Sequence, residues 1–305
     1  MLYAITSSVF FTLFAFIAKY VISRKMSSFV SFIYMQGVAI MILFPILSYV
    51  IAPDKICLPP AEVIPFAYIS GGTSILAYLL MYYGLKRYDA SSAVPLVGTK
   101  PIFVIPLSYI FLQEFYGMEA VLWILITMVG AILTTWDGKL KVKQLLSSNN
   151  KALWIFLLVA LLYGAGNVAI KPAMKLVTNF NFLIWRELAW FGVLIVMMPL
   201  IFHEEDWKSL GREWKGALWP VLLAVVSQYF AYILLFYALG FSVQISEGLS
   251  ATQGLFAVAA GFLLSRRKSE IISERHDSKI YLMRMVGALL ILVGIYKLSY
   301  AYKNL

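Results

Sequence analysis

Long apolar runs separated by short polar breaks dominate the chain. A bilayer core takes about 20 apolar residues of helix, and ten runs reach that length. The first five are Tyr3–Ile22, Phe29–Ile51, Val63–Leu85, Ala90–Phe111 and Met118–Trp136. The second five are Ala152–Lys175, Phe180–Phe202, Gly216–Leu239, Ser242–Leu264 and Ile280–Tyr300. They are numbered here as spans 1 to 10. The longest polar stretches, Asp137–Lys151 and Ser265–Lys279, read as loops. Span 1 has no basic segment ahead of it and is followed by Arg24-Lys25, which suits a retained helix better than a cleaved signal.

Two sets of five spans suggest a duplication. Tyr82-Tyr83-Gly84-Leu85 at the end of span 3 resembles Phe236-Tyr237-Ala238-Leu239 at the end of span 8. Met128-Val129-Gly130-Ala131 in span 5 recurs as Met285-Val286-Gly287-Ala288 in span 10, and Lys19 in span 1 matches Lys171 in span 6. An odd number of spans per copy makes the second copy enter the membrane from the opposite side, a plan common among transporters with a midplane site. The expected fold is therefore all-α. It is a polytopic membrane protein with ten transmembrane helices in two inverted five-helix repeats, residues 1–136 and 152–305, joined by a basic linker at 137–151.

Composition agrees with that pattern. Hydrophobic residues make up 62% of the chain and charged ones 13%, with a mean hydropathy of +0.84. Soluble domains run nearer ~45–50% and ~25%, so a soluble enzyme is excluded as the default, as are a disordered chain and a disulfide scaffold. The single cysteine, Cys57, says nothing about redox compartment. The net charge of +10 follows the loops. Of 25 Lys and Arg, sixteen lie in odd-numbered loops: Arg24, Lys25, Lys86, Arg87, Lys139, Lys141, Lys143, Lys151, Lys208, Arg212, Lys215, Arg266, Arg267, Lys268, Arg275 and Lys279. The even side has Lys55, Lys175 and Lys303. Basic short loops stay cytoplasmic, so the odd loops are expected inside, in a cell (inner) membrane, facing anionic lipid. No basic cluster suits nucleic acid.

The chain resembles a ten-helix, EamA-type member of the drug/metabolite transporter superfamily. The residues that carry the resemblance are Tyr83-Gly84-Leu85 running into Asp89-Ala90-Ser91-Ser92-Ala93, Lys100-Pro101-Ile102-Phe103, Phe111-Leu112-Gln113-Glu114, Gly130–Leu133, Arg186 and Tyr237-Ala238-Leu239. The resemblance implies two inverted halves around a central cavity and solute transport by alternating access. The chain departs from the pattern at Gln36, at Leu255 in place of a second mid-span proline, and at Arg266-Arg267-Lys268. It also implies cytoplasmic termini, whereas the charge count places them outside.

Ionisable groups within a membrane are costly, roughly 2.5–3.5 kcal/mol each on insertion scales, and ask for a reason. Lys100 lies in the middle of span 4 and would suit the carboxylate or phosphate of a solute; the alternative is a salt bridge, most simply to Glu247. Glu247 in span 9 is the candidate coupling carboxylate, with a lock on Lys100 as the alternative. Arg186 either lines the cavity or holds neighbouring carbonyls. Its neighbour Glu187 points about 100° away on a helix and is expected to pair poorly with it.

Ser74, Tyr78 and Tyr82 form one helical stripe in span 3, matched by Gln228, Tyr232 and Phe236 in span 8. Their polar atoms would lack partners in lipid, so both stripes are expected to face inward, as cavity walls or as interhelical packing. Trp185 and Trp190 fit either a cavity or an aromatic belt. Lys19, Lys171, Lys175, Arg284 and Lys297 read as snorkelling side chains.

His203 and His276 fall in charged loops, and no metal site, nucleotide motif or cofactor signature is present. Uphill transport would draw on a gradient. The expected activity is secondary active transport, by export or exchange, of small polar metabolites such as amino acids, with Lys100, Tyr78, Tyr82, Gln228, Tyr232 and Arg186 binding the solute and Glu247 coupling. The alternative is transport of organic cations or amphipathic drugs. The partners expected are the solute and the lipid bilayer, with oligomeric state open.

Overall fold

The computed structural model describes residues 2–87, 99–115, 117–135, 151–256 and 278–303, with 97 and 259. It is all-α among these residues. The helices are α1 Leu2–Arg24, α2 Phe29–Ile51, α3 Val63–Arg87, α4 Lys100–Leu112, α5 Gly117–Thr135 and α6 Lys151–Val168. They continue as α7 Ile170–Met174, α8 Asn179–Ile201, α9 Glu204–Phe241, α10 Val243–Ser250 and α11 Ser278–Lys303. A 3₁₀ turn, Pro53–Lys55, follows α2. Among the described residues, seven helical segments are long and apolar enough to cross a bilayer. Large apolar side chains such as Val50, Val196, Leu200 and Trp219 cover the outer surface, as lipid contact requires.

Local chemistry sets the helix ends. Ser28, Thr178 and Ser242 cap α2, α8 and α10, each accepting from a backbone N–H three residues on. The α6–α7 break at Ala169 follows from Pro172, which has no N–H and whose ring crowds the carbonyl four residues back, at Val168.

Three expected spans differ from what is observed. Span 8 was expected to begin at Gly216, but α9 begins at Glu204 and runs 38 residues. Its first turn holds Glu204, Glu205 and Asp206, which favour the positive end of a helix, and Asp206 Oδ2 accepts from the His203 N–H at 2.8 Å. Lys208, Arg212 and Lys215 therefore stand on helix rather than loop. Span 4 was expected from Ala90. The helix described there starts at Lys100, where Pro101 sits at a helix start that tolerates its missing donor; residues 90–96 and 98 lie outside the described residues. In span 9, α10 stops after eight residues and helix resumes at Thr252 after the Ala251 turn. The loops expected at 137–150 and 265–277 lie outside the described residues.

Helix packing pairs α1 with α9 and α3 with α6, then α8 with α3 and α9 with α2. In span numbers these are 1 with 8 and 6 with 3, then 7 with 3 and 2 with 8, so exchanging the chain halves turns each pair into another. α5 lies along α11, and there the recurring Met-Val-Gly-Ala segments meet. A Cβ on Gly130 would lie 2.7 Å from Gly287 O, and one on Gly287 2.6 Å from Gly130 O. The two backbones touch, the close approach that small residues permit in membranes.

Candidate functional site

Two buried polar clusters join the chain halves. The first lies between α4, α6 and α10. Lys100 Nζ stands 3.0 Å from Glu247 Oε2, with the carboxylate fully enclosed and the lysine side chain 22% exposed. Asn167 Nδ2 donates to Glu247 Oε1, and Ser250 Oγ donates to the Glu247 carbonyl at 2.7 Å. Asn167 belongs to the last turn of α6, just before the proline-induced break.

The register of α10 is fixed beside this pair. Glu114 Oε1 accepts from the Val243 N–H at 2.9 Å, and Gln244 Nε2 donates to Ser108 Oγ at 2.8 Å and to the Glu114 carbonyl at 2.7 Å. The chain reverses after α4 through Gln113, at φ 54°. Glu114 also faces Lys171 Nζ at 3.3 Å, and that ammonium caps α9 by donating to the Phe241 carbonyl at 2.8 Å. Lys171 is thus held within the protein rather than snorkelling freely.

The second cluster surrounds Arg186 on α8, which is 1% exposed. Its Nε donates to Ser70 Oγ at 3.2 Å, its Nη2 to Ser74 Oγ at 2.6 Å, and its Nη1 pairs with Glu187 Oε1. The guanidinium lies over the Tyr232 ring at 4.3 Å and near Phe236 at 5.9 Å. The expectation that Arg186 and Glu187 would not pair is corrected here. Both side chains are long enough to curve toward one another, and burial of both at 1% exposure favours pairing the two opposite charges. Glu187 Oε2 has no partner among the described residues.

Both stripes face inward. Ser74 meets Arg186, and Tyr78 packs against Tyr82, Tyr163 and Trp190 with ring centres 6.0–6.2 Å apart. Tyr82 also stacks on Phe29. Gln228 accepts from Gln36 Nε2 at 2.7 Å, while Gln36 Oε1 is buried without a partner among the described residues. Trp190 belongs to the interior, whereas Trp185 donates to the Cys57 carbonyl at 3.4 Å.

The candidate residues therefore fall into two groups rather than one. Lys100 and Glu247 form the first; Arg186, Tyr232, Tyr78 and Tyr82 form the second, with Gln228 one turn from Tyr232. Helix α6 runs between them, presenting Tyr163 to Tyr78 and, one turn on, Asn167 to Glu247. Asn167 and Ser70 were not picked out from sequence, and Glu114 and Gln36 were noted only for their place in the family pattern. The available signal was a polar side chain inside, or just at the end of, an otherwise apolar run.

Residues 1–136 match the EamA-like transporter family. Over 79 residues the chain is 30% identical to an uncharacterized protein of Methanocaldococcus jannaschii; that stretch is 26% of this chain and 58% of that protein's length. A solved crystal structure aligns with 100% of this chain and 98% of its own, at a TM-score of 0.66 and 12% identity, a likeness of fold alone.

Proposed function

We propose, from the premise that this integral membrane protein is an EamA-like transporter over residues 1–136 and consistent with the drug/metabolite transporter superfamily, that it is a secondary active transporter. Its solutes are small polar metabolites such as amino acids, carried by alternating access between two inverted halves. The observation that carries this reading is the Lys100–Glu247 pair, in which an enclosed carboxylate from one half meets a partly exposed ammonium from the other.

A pair of that kind exchanges well with a zwitterion. The solute carboxylate takes Lys100, the solute ammonium takes Glu247, and the enclosed Glu247 carboxylate is not left alone, which would cost several kcal/mol. Proton uptake by Glu247 would also part the pair, giving a route for coupling. Arg186, Tyr232, Tyr78 and Tyr82 form the aromatic and cationic wall beside it. The helix pairs that interchange with the halves support the inverted arrangement, and the basic odd-numbered loops support a cytoplasmic placement for that end.

Uptake into liposomes of purified protein tests this, with a panel of amino acids and Lys100→Ala beside the wild type. The variant is expected to lose uptake; equal uptake of every accepted solute rejects the role of Lys100. One observation favours a second reading. Glu247 already neutralises Lys100, so an organic cation could use the Tyr78, Tyr163 and Trp190 rings instead, through cation–π contact. Competition by cationic rather than anionic solutes selects that reading.

A further inference from the structure

Polar ties join the chain halves at both ends of the helices. At the odd-loop end the α1–α2 corner is fastened to α9: Ser28 Oγ donates to Asp206 Oδ1 at 2.5 Å and Ser31 Oγ to the Asp206 carbonyl at 2.7 Å. At the even-loop end the α7–α8 corner is fastened to the segment before α3. Thr178 Oγ1 donates to the Lys55 carbonyl at 3.2 Å, and Asn181 Oδ1 accepts from the Cys57 N–H at 3.4 Å. Thr178 and Asn181 occupy, in the second copy, the positions of Ser28 and Ser31 in the first, on the cap and first turn of matching helices. Ties repeated at both ends favour neither.

One tie is not repeated. Glu114, at the exit of α4, faces Lys171 Nζ at 3.3 Å and accepts from the Val243 N–H at 2.9 Å, while Lys171 Nζ also donates to the Phe241 carbonyl at 2.8 Å. A single carboxylate of the first half thus clamps α7, the end of α9 and the start of α10, all from the second half. Only 18% of the Lys171 side chain and 5% of the Glu114 side chain are exposed, so salt screens this pair less than a surface one.

At the odd-loop end the match to Lys171 is Lys19, which is exposed and makes no ion pair among the described residues. Where the first copy leaves span 4 through Leu112-Gln113-Glu114, the second leaves span 9 through Arg266-Arg267-Lys268. Those three lie outside the described residues, and their sign follows from the sequence alone. Both matched positions are basic there, and like charges cannot reproduce the clamp.

We propose that Glu114 and Lys171 form a one-sided lock that holds the even-loop end shut and biases the resting protein toward opening at the odd-loop end. The lock rests on the alternating-access reading, and parting this pair is the step that frees the even-loop end.

Double electron–electron resonance on the purified full-length protein in liposomes tests this. Spin labels on Phe111→Cys and Leu176→Cys, both at exposed positions, in a Cys57→Ser background report the separation of α4 from α7. The protein with an intact lock should give one dominant short separation. Lys171→Met should raise the population of longer separations about tenfold, the scale of one lost charge-assisted contact. Glu114→Gln keeps an acceptor for the Val243 N–H and should raise it less, and the double variant should not exceed Lys171→Met. Ser31→Ala loosens a tie at the opposite end and should leave the separation unchanged.

A dominant long separation with the lock intact, an unchanged distribution in both lock variants, a double variant well beyond Lys171→Met, or lengthening by Ser31→Ala overturns the proposal. Lengthening in the lock variants of a protein that carries no solute overturns the transport reading and leaves the lock standing. Solute uptake with unmoved separations does the reverse.

Discussion

The contact between α5 and α11 allows a prediction whose sign and additivity are both fixed by geometry. A Cβ on Gly130 would lie 2.7 Å from Gly287 O and 2.9 Å from Ile291 Cγ1 and N. A relaxed contact needs about 3.5 Å, so the helices must part by roughly 0.8 Å. Overpacking of that order costs about 1–3 kcal/mol, while replacing a helical glycine by alanine returns about 0.5–1 kcal/mol. Gly130→Ala is therefore expected to destabilise by about 1 kcal/mol.

Gly287→Ala meets the reciprocal obstacle, Gly130 O at 2.6 Å. Once the helices have parted for one methyl group, the second enters at little further cost. The double variant should then be no less stable than the worse single one by more than about 0.5 kcal/mol, a large departure from additivity. Gly192→Ala is the control, because nothing lies within 4 Å of its Cβ, and it should stabilise by about 0.5–1 kcal/mol. Unfolding by SDS titration in mixed micelles measures all four. Strict additivity of the two crossing variants, or a Gly130→Ala as benign as Gly192→Ala, would refute the reasoning.

Three further outcomes can be measured the same way. Lys100→Met should cost about 3 kcal/mol by leaving Glu247 enclosed without its cation, and adding Glu247→Gln should recover at least half; a double variant as unstable as the single one breaks the inferred pairing. Arg186→Lys should lose about 2 kcal/mol, because a point charge cannot reach Ser70, Ser74 and Glu187 together, and a neutral result would show that the fork geometry is unimportant. Glu114→Gln should cost about 1 kcal/mol, since it keeps an acceptor for the Val243 N–H but removes the charge facing Lys171; Glu114→Ala should cost more, and equal losses would contradict the capping role.

What the sequence revealed follows from which signals survive without neighbours. Apolar runs of membrane length are such a signal, and most spans coincide with helices to within a few residues. Lys100 and Glu247 stood out because charge is rare at that depth, and the same rarity made each the natural partner of the other. The amino-terminal part of α9 was hidden because Glu204, Asp206 and Arg212 look like loop composition, although the acids suit a helix start. Asn167 was missed because a lone amide among small apolar residues acquires meaning only once packing brings α6 and α10 together and sets it against Glu247. The pairing of Arg186 with Glu187 was missed because helical angles locate Cβ atoms, not the ends of long flexible side chains.

The length of α9 has a mechanical consequence. Thirty-eight residues of helix extend at most about 57 Å, nearly twice the hydrocarbon thickness, so α9, which carries Pro220 in its interior, overhangs the lipid. Its overhanging end is fastened to the α1–α2 corner, where Ser27 donates to Glu213 and Ser31 Oγ to the Asp206 carbonyl. A tilt of about 5° at the helix's middle would move that tip, and the α1–α2 corner tied to it, by roughly 2.5 Å. A spin label on Arg212 would report any such displacement at the water boundary.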